Sequence, residues 1–245
     1  MFNYKTIYLV LFGFSMFAST IASQAENYKA PKSKVFPQLN VPMMLRHLNL
    51  IEPSATAIVR VGAEGKILGH IFIKADHIDL LPVAEKGLQR AEFEPAQLEG
   101  ESVVGDLKME IHFANPRKQF DQTAQMSIGD HIQENIQRLS KTEKALTTSL
   151  PQELDQPLSI LDQGKSIVPV DKSDNPIKGD VLYEFYIDPE GIPQLPKVIS
   201  SDGPAFSKAA LFQIESMKFE PPLRDGKPTV VKVRLPFNYK YVEAK

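Results

Sequence analysis

The chain repeats itself once, at a constant shift. Gly65 recurs as Gly191, the tripeptide at 93–95 (Phe-Glu-Pro) recurs at 219–221, and Gly100 recurs as Gly226, so each shift equals 191 minus 65, or 126 positions. Four further identities keep this shift: Glu64/Glu190, Asp76/Asp202, Ala84/Ala210 and Val104/Val230. A solenoid needs roughly three or more stacked repeats. Two copies in constant register therefore predict two copies of one small folded unit.

Length and composition agree with this interpretation. The 245 residues suggest roughly one or two domains. The chain has 28 basic and 30 acidic residues and no block of five like charges, which argues against a nucleic-acid-binding surface. It has no cysteine, so disulfides, thiol catalysis and cysteine zinc sites are excluded.

The N-terminus has the pattern of a secretory signal. An apolar stretch runs from Ile7 to Ala22 after Lys5, and Ser23 and Ala25 place small residues before a cleavage site. The stretch is shorter than the roughly 20 residues that a spanning helix requires. Residues 1–25 are therefore predicted to be a signal peptide, and the mature chain is expected to be exported. The alternative is an uncleaved membrane anchor.

The second copy has the clearer pattern of strands and a helix. Asp188 to Gly191 forms a turn signal with Pro and Gly, and Ser200 to Pro204 combines turn and helix-cap residues. Phe219 to Pro222 ends the helix, because a residue before Pro is disfavoured in helical conformation. The order is β-β-α-β, with a strand at 181–187, a return strand around 198–199, a helix over 206–217 and a final strand at 230–239.

The first copy is predicted to have the same order, and Phe93 and Phe219 are predicted to occupy equivalent buried sites where the helices end. Its strands lie at 56–61, 67–73 and 103–113, its helix lies near 80–90, and 43–48 forms a short extra helix. A linker helix is predicted at 128–146. The fold class is α+β: two tandem β-β-α-β domains at 35–115 and 166–245, joined by a helical linker at 116–165.

The second copy resembles the TonB C-terminal domain family. The resemblance lies in the order and spacing of Gly179-x-Val181, Ile187-Asp188-x-x-Gly191, Ser200-Ser201-x-Gly203, Phe206, Ala209-Ala210, Phe219-x-Pro221, Asp225-Gly226-Lys227-Pro228 and Leu235-Pro236-Phe237. The first copy joins it through the internal repeat. The resemblance implies a periplasmic module with a three-stranded antiparallel sheet and helices on one face. In that family the module binds an extended segment of an outer-membrane transporter by strand addition.

The chain departs from the family pattern at four places. Val168-Pro169 stands where the family has Tyr-Pro, and Met217 stands where it has Trp. No His lies within residues 1–25, and the nine residues 26–34 reach only roughly 30 Å even when fully extended as polyproline II. In the family, a member that transmits inner-membrane proton-motive force is expected to have a His inside its N-terminal helix and a long Pro-rich spacer. This sequence has neither feature at those positions.

Two functional hypotheses follow. One is a non-enzymatic periplasmic adaptor that captures peptide or protein strand edges; the other is a membrane-anchored energy transducer component. The predicted partner is a protein or peptide, with outer-membrane transporter segments as candidates, and no cofactor is implied. The alternative for the final strand is that the linker helix or the other copy covers its edge. The predicted partner-binding residues are Val168, Pro169, Val231, Lys232, Val233, Arg234 and Leu235.

No catalytic or metal site is predicted. His70, Asp76, His77 and Asp79 form the only local cluster of His and Asp, and the repeat places Asp76-His77 in a connection between a strand and a helix. Ser200-Ser201-Asp202 has no His in its own copy, so a turn and helix cap is the interpretation.

The first prediction concerns the N-terminus. If residues 1–25 are a signal peptide, Edman sequencing of the mature protein starts at Glu26, and the protein is released with the periplasmic fraction. Met1 on membrane-bound protein would favour the anchored transducer instead.

Overall fold

The computed structural model describes residues 27–48, 50, 52–114 and 145–240. Within these ranges the fold is mixed, mostly β with two short α-helices, which confirms the α+β class. The predicted signal peptide and residues 128–144 of the predicted linker helix lie outside the described residues. The end of that linker helix is wrong, because Leu146 forms an antiparallel bridge with Ala75 instead of a helical turn.

The first unit, residues 27–114, contains nine strands and one α-helix. A 3₁₀ helix at Met43–Leu48 matches the predicted extra helix, and a second 3₁₀ turn, Ile78–Leu80, leads into the α-helix. The elements are β1 (Tyr28–Lys29), β2 (Lys32–Val35), β3 (Leu39–Asn40), β4 (Ser54–Val61), β5 (Ile67–Ala75), α1 (Leu81–Leu88), β6 (Glu92–Glu94), β7 (Ala96–Leu98), β8 (Glu101–Val103) and β9 (Gly105–Ala114).

The second unit, residues 145–240, contains eight strands and one α-helix. One 3₁₀ turn lies at Pro151–Glu153. The elements are β10 (Thr148–Ser149), β11 (Ile160–Asp162), β12 (Gly179–Ile187), β13 (Pro193–Ser201), α2 (Pro204–Ile214), β14 (Lys218–Phe219), β15 (Leu223–Arg224), β16 (Lys227–Pro228) and β17 (Val230–Tyr239).

Each unit is built on one four-stranded sheet. The strand order is β3-β9-β4-β5 in the first sheet and β10-β17-β12-β13 in the second. The three long strands of each sheet are antiparallel, as predicted. The fourth strand was not predicted: β3 and β10 add two-residue parallel strands beside β9 and β17. Two residues are too few to carry a periodic hydrophobic signal.

The turns show why the repeated Gly and Phe occur together. Gly65 and Gly191 both have positive φ, 79° and 82°, which glycine adopts without strain. A Cβ on either glycine would collide with a backbone oxygen, that of Phe93 or that of Phe219. The hairpin turn and the strand after the helix therefore approach closely at the same two positions of each unit.

Each unit has its own hydrophobic core on the helix side of the sheet. Phe93 and Phe219 are 7% and 3% exposed, which confirms the prediction that both are buried after the helix. Phe219 packs against Phe185, with ring centroids 6.0 Å apart. The second core also includes Val181, Tyr183, Ile187, Phe206, Ala210, Ile214, Met217 and Phe237.

The two units share a junction. Leu195 of β13 is 9% exposed and packs into the core of the first unit, where it lies against Gly69. Val230 of β17 is buried in the same core. Leu195 has φ 51°, a left-handed conformation that is strained for leucine, at a bulge in the β12–β13 pairing. The bulge is what directs this side chain into the other unit.

Arg60 of β4 holds the other side of the bulge. Its guanidinium donates to the carbonyl oxygens of Pro196 and Leu195, at 2.7 and 3.1 Å. The same group makes two hydrogen bonds to the Asp106 carboxylate, at 2.8 and 3.1 Å. A guanidinium can serve both partners because its five N–H groups point in fixed directions. Carbonyls released by the bulge are thereby satisfied across the junction.

The second prediction tests this shared packing. Phe219→Ala is expected to lower the free energy of unfolding by about 3–5 kcal/mol, because a large buried ring leaves a cavity. Because Leu195 and Val230 tie the units together, urea unfolding of the wild-type chain should show one transition by both circular dichroism and fluorescence. Two separated transitions would show that the units unfold independently.

A matched control lies on α2. Phe212 is 43% exposed, so Phe212→Ala should change the unfolding free energy by less than about 0.5 kcal/mol.

Candidate functional site

The candidate site is the side of β17 that faces away from β12, here called the β17 edge. Along a strand, successive backbone N–H and C=O groups point to opposite sides. The N–H of Val230 donates to the carbonyl of Thr147, at 3.0 Å. Even-numbered residues of β17 therefore point their backbone groups outward, and odd-numbered residues point theirs to β12.

Only the start of the β17 edge is covered. β10 pairs with Val230 and Val231, and among the described residues no other strand pairs with β17 on that side. On the inner side, β12 pairs with β17 along nine residues without a register shift. In the parallel register with β10 the Lys232 N–H faces the Ser149 carbonyl, and from the Lys232 carbonyl to Asn238 no described strand pairs with the outward backbone groups.

Pro236 fits this arrangement. A proline in a paired strand removes a ladder hydrogen bond, so prolines occur on edge strands with the missing N–H facing outward. Pro236 lies opposite Leu182 of β12 and is even-numbered, so its nitrogen points to the open side. The β17 edge therefore offers the N–H groups of Arg234 and Asn238, and the carbonyls of Lys232, Arg234, Pro236 and Asn238.

Lys232 and Arg234 share one carboxylate on the exposed face of the second sheet. Lys232 Nζ lies 2.6 Å from one oxygen of Glu184, and Arg234 Nε lies 2.9 Å from the other. Lys232 also stands over the Tyr186 ring, 5.6 Å from its centroid. Partial burial opposes ionisation of Glu184, but the hydrogen bonds from Lys232 and Arg234 outweigh it and lower its pKa below the usual value. The cluster keeps one net positive charge.

The predicted binding residues divide between the two sides of β17. Lys232 and Arg234 lie on the open side. Val231, Val233 and Leu235 point their backbone to β12; Val231 is buried, and the other two side chains pack on the second core. Those three residues thus support the strand and offer no backbone groups to a partner. Sequence alternation identified the strand, but not which half of its residues points outward.

Val168 and Pro169 lie in a loop before β12. Val168 is 67% exposed, while Pro169 is buried and its carbonyl accepts the N–H of Ile177 at 3.0 Å. The loop turns at Asp171, whose pKa is lowered by backbone hydrogen bonds from Asn175 and Ser173. No strand pairing or hydrogen bond described for Val168 or Pro169 joins them to β17.

The polar clusters are turns and caps. His77 precedes the 3₁₀ turn at 78–80 and accepts the N–H of Asp79 at 3.2 Å, which confirms its place between a strand and a helix. Ser201 donates to the carbonyl of Gly203 and accepts from Ser207 in the turn before α2. Within the described ranges, no group of three His, Cys, Asp or Glu side chains is placed to hold a metal.

No helix in the described part of the chain is long and apolar enough to span a membrane. This finding covers the described ranges and not the apolar stretch near the N-terminus.

Comparisons with known proteins match the second unit. Residues 169–241 match the family described as Gram-negative bacterial TonB protein C-terminal. Protein TonB of Vibrio cholerae serotype O1 is 31% identical over 94 residues, which are 38% of this chain and 38% of that protein. The chain thus aligns with less than half of that relative. The solution structure of the Pseudomonas aeruginosa TonB CTD covers 37% of this chain and 92% of its own, at 22% identity and a TM-score of 0.32.

The third prediction concerns Glu184. Because its pKa is lowered in the folded state, its ion pairs stabilise the fold above the unfolded pKa, and this stabilisation is lost as pH falls through the folded pKa. Glu184→Gln should therefore lower the unfolding free energy by about 0.5–1 kcal/mol at pH 7, and the difference should shrink towards pH 3.

The measurement is urea unfolding of both proteins at a series of pH values. Glu220→Gln serves as the control, since Glu220 is exposed and no ion pair is described for it. An equal loss from Glu184→Gln at pH 7 and pH 3 would contradict the assignment.

Proposed function

Since residues 169–241 match the family described as Gram-negative bacterial TonB protein C-terminal, we propose that the second unit binds an extended segment of a protein partner along the β17 edge. The segment adds as a further strand of the second sheet, beside β17 and beyond β10. Main-chain hydrogen bonds supply the affinity, so the binding tolerates many partner sequences.

The open backbone of β17 is the observation that carries this proposal. Two N–H groups and four carbonyls point outward between Lys232 and Asn238, and unpaired groups of this kind are a template for pairing. Pro236 and the charged side chains limit this pairing. Charge and Pro are common devices by which a sheet edge avoids indiscriminate association. The β17 edge is therefore open to a partner strand and yet resists indiscriminate pairing.

The chemistry of the partner follows from the charges beside this edge. Lys232 and Arg234 favour acidic or neutral segments, but Glu184 already neutralises one of the two cations. An acidic partner residue competes with Glu184 for these side chains, so a moderate preference for acidic segments is expected. Family membership makes segments of outer-membrane transporters the leading candidates, and a periplasmic role in transport follows from them.

The adaptor and the transducer share this binding event. The similarity to Protein TonB and the apolar stretch at 7–22 favour an anchored form, whereas the small residues before Glu26 favour release. We favour the released adaptor, because the stretch is short for a spanning helix. N-terminal sequencing separates the two.

The fourth prediction uses the alternation along β17. In the free protein, the amides of Arg234 and Asn238 should exchange with solvent quickly, while those of Val233, Leu235 and Phe237 are protected by β12. Adding solubilised outer-membrane proteins should slow exchange at Arg234 and Asn238 alone. Slow exchange at both positions in the isolated protein would contradict an open edge.

A pair of variants tests the backbone directly. Arg234→Pro removes an outward N–H without breaking the ladder to β12, whereas Arg234→Ala removes the same side chain and keeps the N–H. Arg234→Pro should weaken capture of the partner about tenfold more than Arg234→Ala, because buried hydrogen bonds are costly to leave unmade. Val233→Pro is not a suitable test of the edge. The Val233 N–H faces β12, so its removal is expected to destabilise the second sheet itself.

A further inference from the structure

The first sheet has an open edge of its own on β9. The N–H of Phe113 donates to the carbonyl of Pro53, and the carbonyl of Ala114 accepts the N–H of Val41. Odd-numbered residues of β9 thus face β4, and even-numbered residues face outward. β3 pairs only with Phe113 and Ala114, and in this parallel register the Leu39 N–H faces the His112 carbonyl. Among the described residues, no strand pairs with the other outward groups of 106–112.

The outward positions of this stretch carry alternating charge. They are Asp106, Lys108, Glu110 and His112, and all four side chains are exposed or at the surface of the sheet. None of them is proline, so every outward N–H is available. Arg60 holds Asp106, whereas no ion pair to another described residue is given for Lys108, Glu110 or His112. These three charges lack a described partner within their own chain.

We propose that a second copy of this chain pairs with this edge, antiparallel, about a two-fold axis at Met109. Met109 is the midpoint of the open stretch. In this register Lys108 lies opposite Glu110 of the second copy, and Asp106 lies opposite His112. Each contact occurs twice by symmetry, as in any isologous interface. All four outward positions then face a residue of opposite sign, with His112 contributing when it is protonated.

The charge pattern disfavours an axis at either central charged residue. An axis at Lys108 sets Lys108 against itself and Asp106 against Glu110. An axis at Glu110 sets Glu110 against itself and Lys108 against His112. Like charges directly opposite each other destabilise a sheet, while opposite charges contribute roughly 0.2–1 kcal/mol for each pair. An axis at Leu107 pairs Asp106 with Lys108 alone, and an axis at Ile111 pairs Glu110 with His112 alone. The register about Met109 is favoured because it sets all four outward residues against opposite charges.

The inner face of β9 adds apolar contact. Leu107 and Met109 are half-buried and pack against the first core. With a two-fold axis perpendicular to the sheet, the helices of both copies lie on one side, and Met109 meets Met109 of the second copy. The remaining exposed apolar surface of these side chains is then covered.

The β17 edge does not allow the same pairing. Its outward residues are Lys232, Arg234, Pro236 and Asn238, so self-pairing brings cations together or meets the missing N–H of Pro236. The two edges thus suit different partners: β9 suits a second copy of this chain, and β17 suits an extended segment of another protein. The strand order places these edges on the sides of the two sheets away from β5 and β13.

The experiment is sedimentation velocity of the purified full chain over a concentration series, with no other protein present. The wild-type chain should show a monomer–dimer equilibrium. Lys108→Glu alone and Glu110→Lys alone should each raise the dimer dissociation constant by roughly tenfold, because each puts like charges opposite each other twice. The double variant Lys108→Glu/Glu110→Lys restores opposite charges and should return the constant to near the wild-type value.

Two observations complete the test. Lys208→Glu on α2 is the control and should leave the dissociation constant unchanged, since Lys208 is exposed and lies away from β9. Thermal unfolding shows whether every variant is folded. A monomeric wild-type chain at all concentrations would overturn the proposal, and so would a dimer that Lys108→Glu does not weaken or that the double variant does not restore. Because no transporter segment is involved, the result is independent of binding at the β17 edge.

Discussion

The hydrogen-bonding requirement of the strand backbone is the constraint on which this structure depends. Each strand presents N–H and C=O groups to both sides, and groups without a partner favour further pairing. β4 and β12 are satisfied on both sides by long neighbours. β9 and β17 each have one long neighbour and a two-residue partner on the other side. The functional surfaces follow from these incomplete partners.

The junction between the units covers part of two sheet edges. At β5, Ala75 forms an antiparallel bridge with Leu146. At the start of β13, the Arg60 guanidinium donates hydrogen bonds to the carbonyls of Leu195 and Pro196 at the bulge. Leu195 has a left-handed backbone conformation at the bulge, and its side chain is buried in the first core. The junction thus covers part of the β5 and β13 edges, and β9 and β17 lie towards the opposite side of each sheet.

The two open edges differ in their side chains although their backbones are arranged alike. On β17, Glu184 holds two cations on the sheet surface and Pro236 interrupts the outward N–H groups. On β9, acidic and basic residues alternate without proline. The same architecture therefore supports two kinds of association, one with a foreign extended segment and one with a second copy.

The sequence by itself determined the local elements. The hairpins could be predicted from the turn residues at Asp188 to Gly191 and from the alternating apolar residues in 230–239. The repeated Phe and Gly positions predicted the buried Phe93 and Phe219. These features depend on neighbours close in the chain, and so do the helices. The resemblance of the second unit to the TonB C-terminal domain family could also be detected from the sequence, since the motifs that carry it lie within about seventy residues.

Only the tertiary structure decided which side of each strand is open. The backbone groups of Arg234 and Asn238 face outward because of how β17 pairs with β10 and β12. The hydrogen bond between Val230 and Thr147, which are 83 positions apart in the chain (230 minus 147), shows this orientation. The short strands β3 and β10, the bulge at Leu195 and its contact with Gly69 carry no periodic signal, because they are fixed by distant packing. The sequence thus specified the strands, and long-range contacts specified the edges.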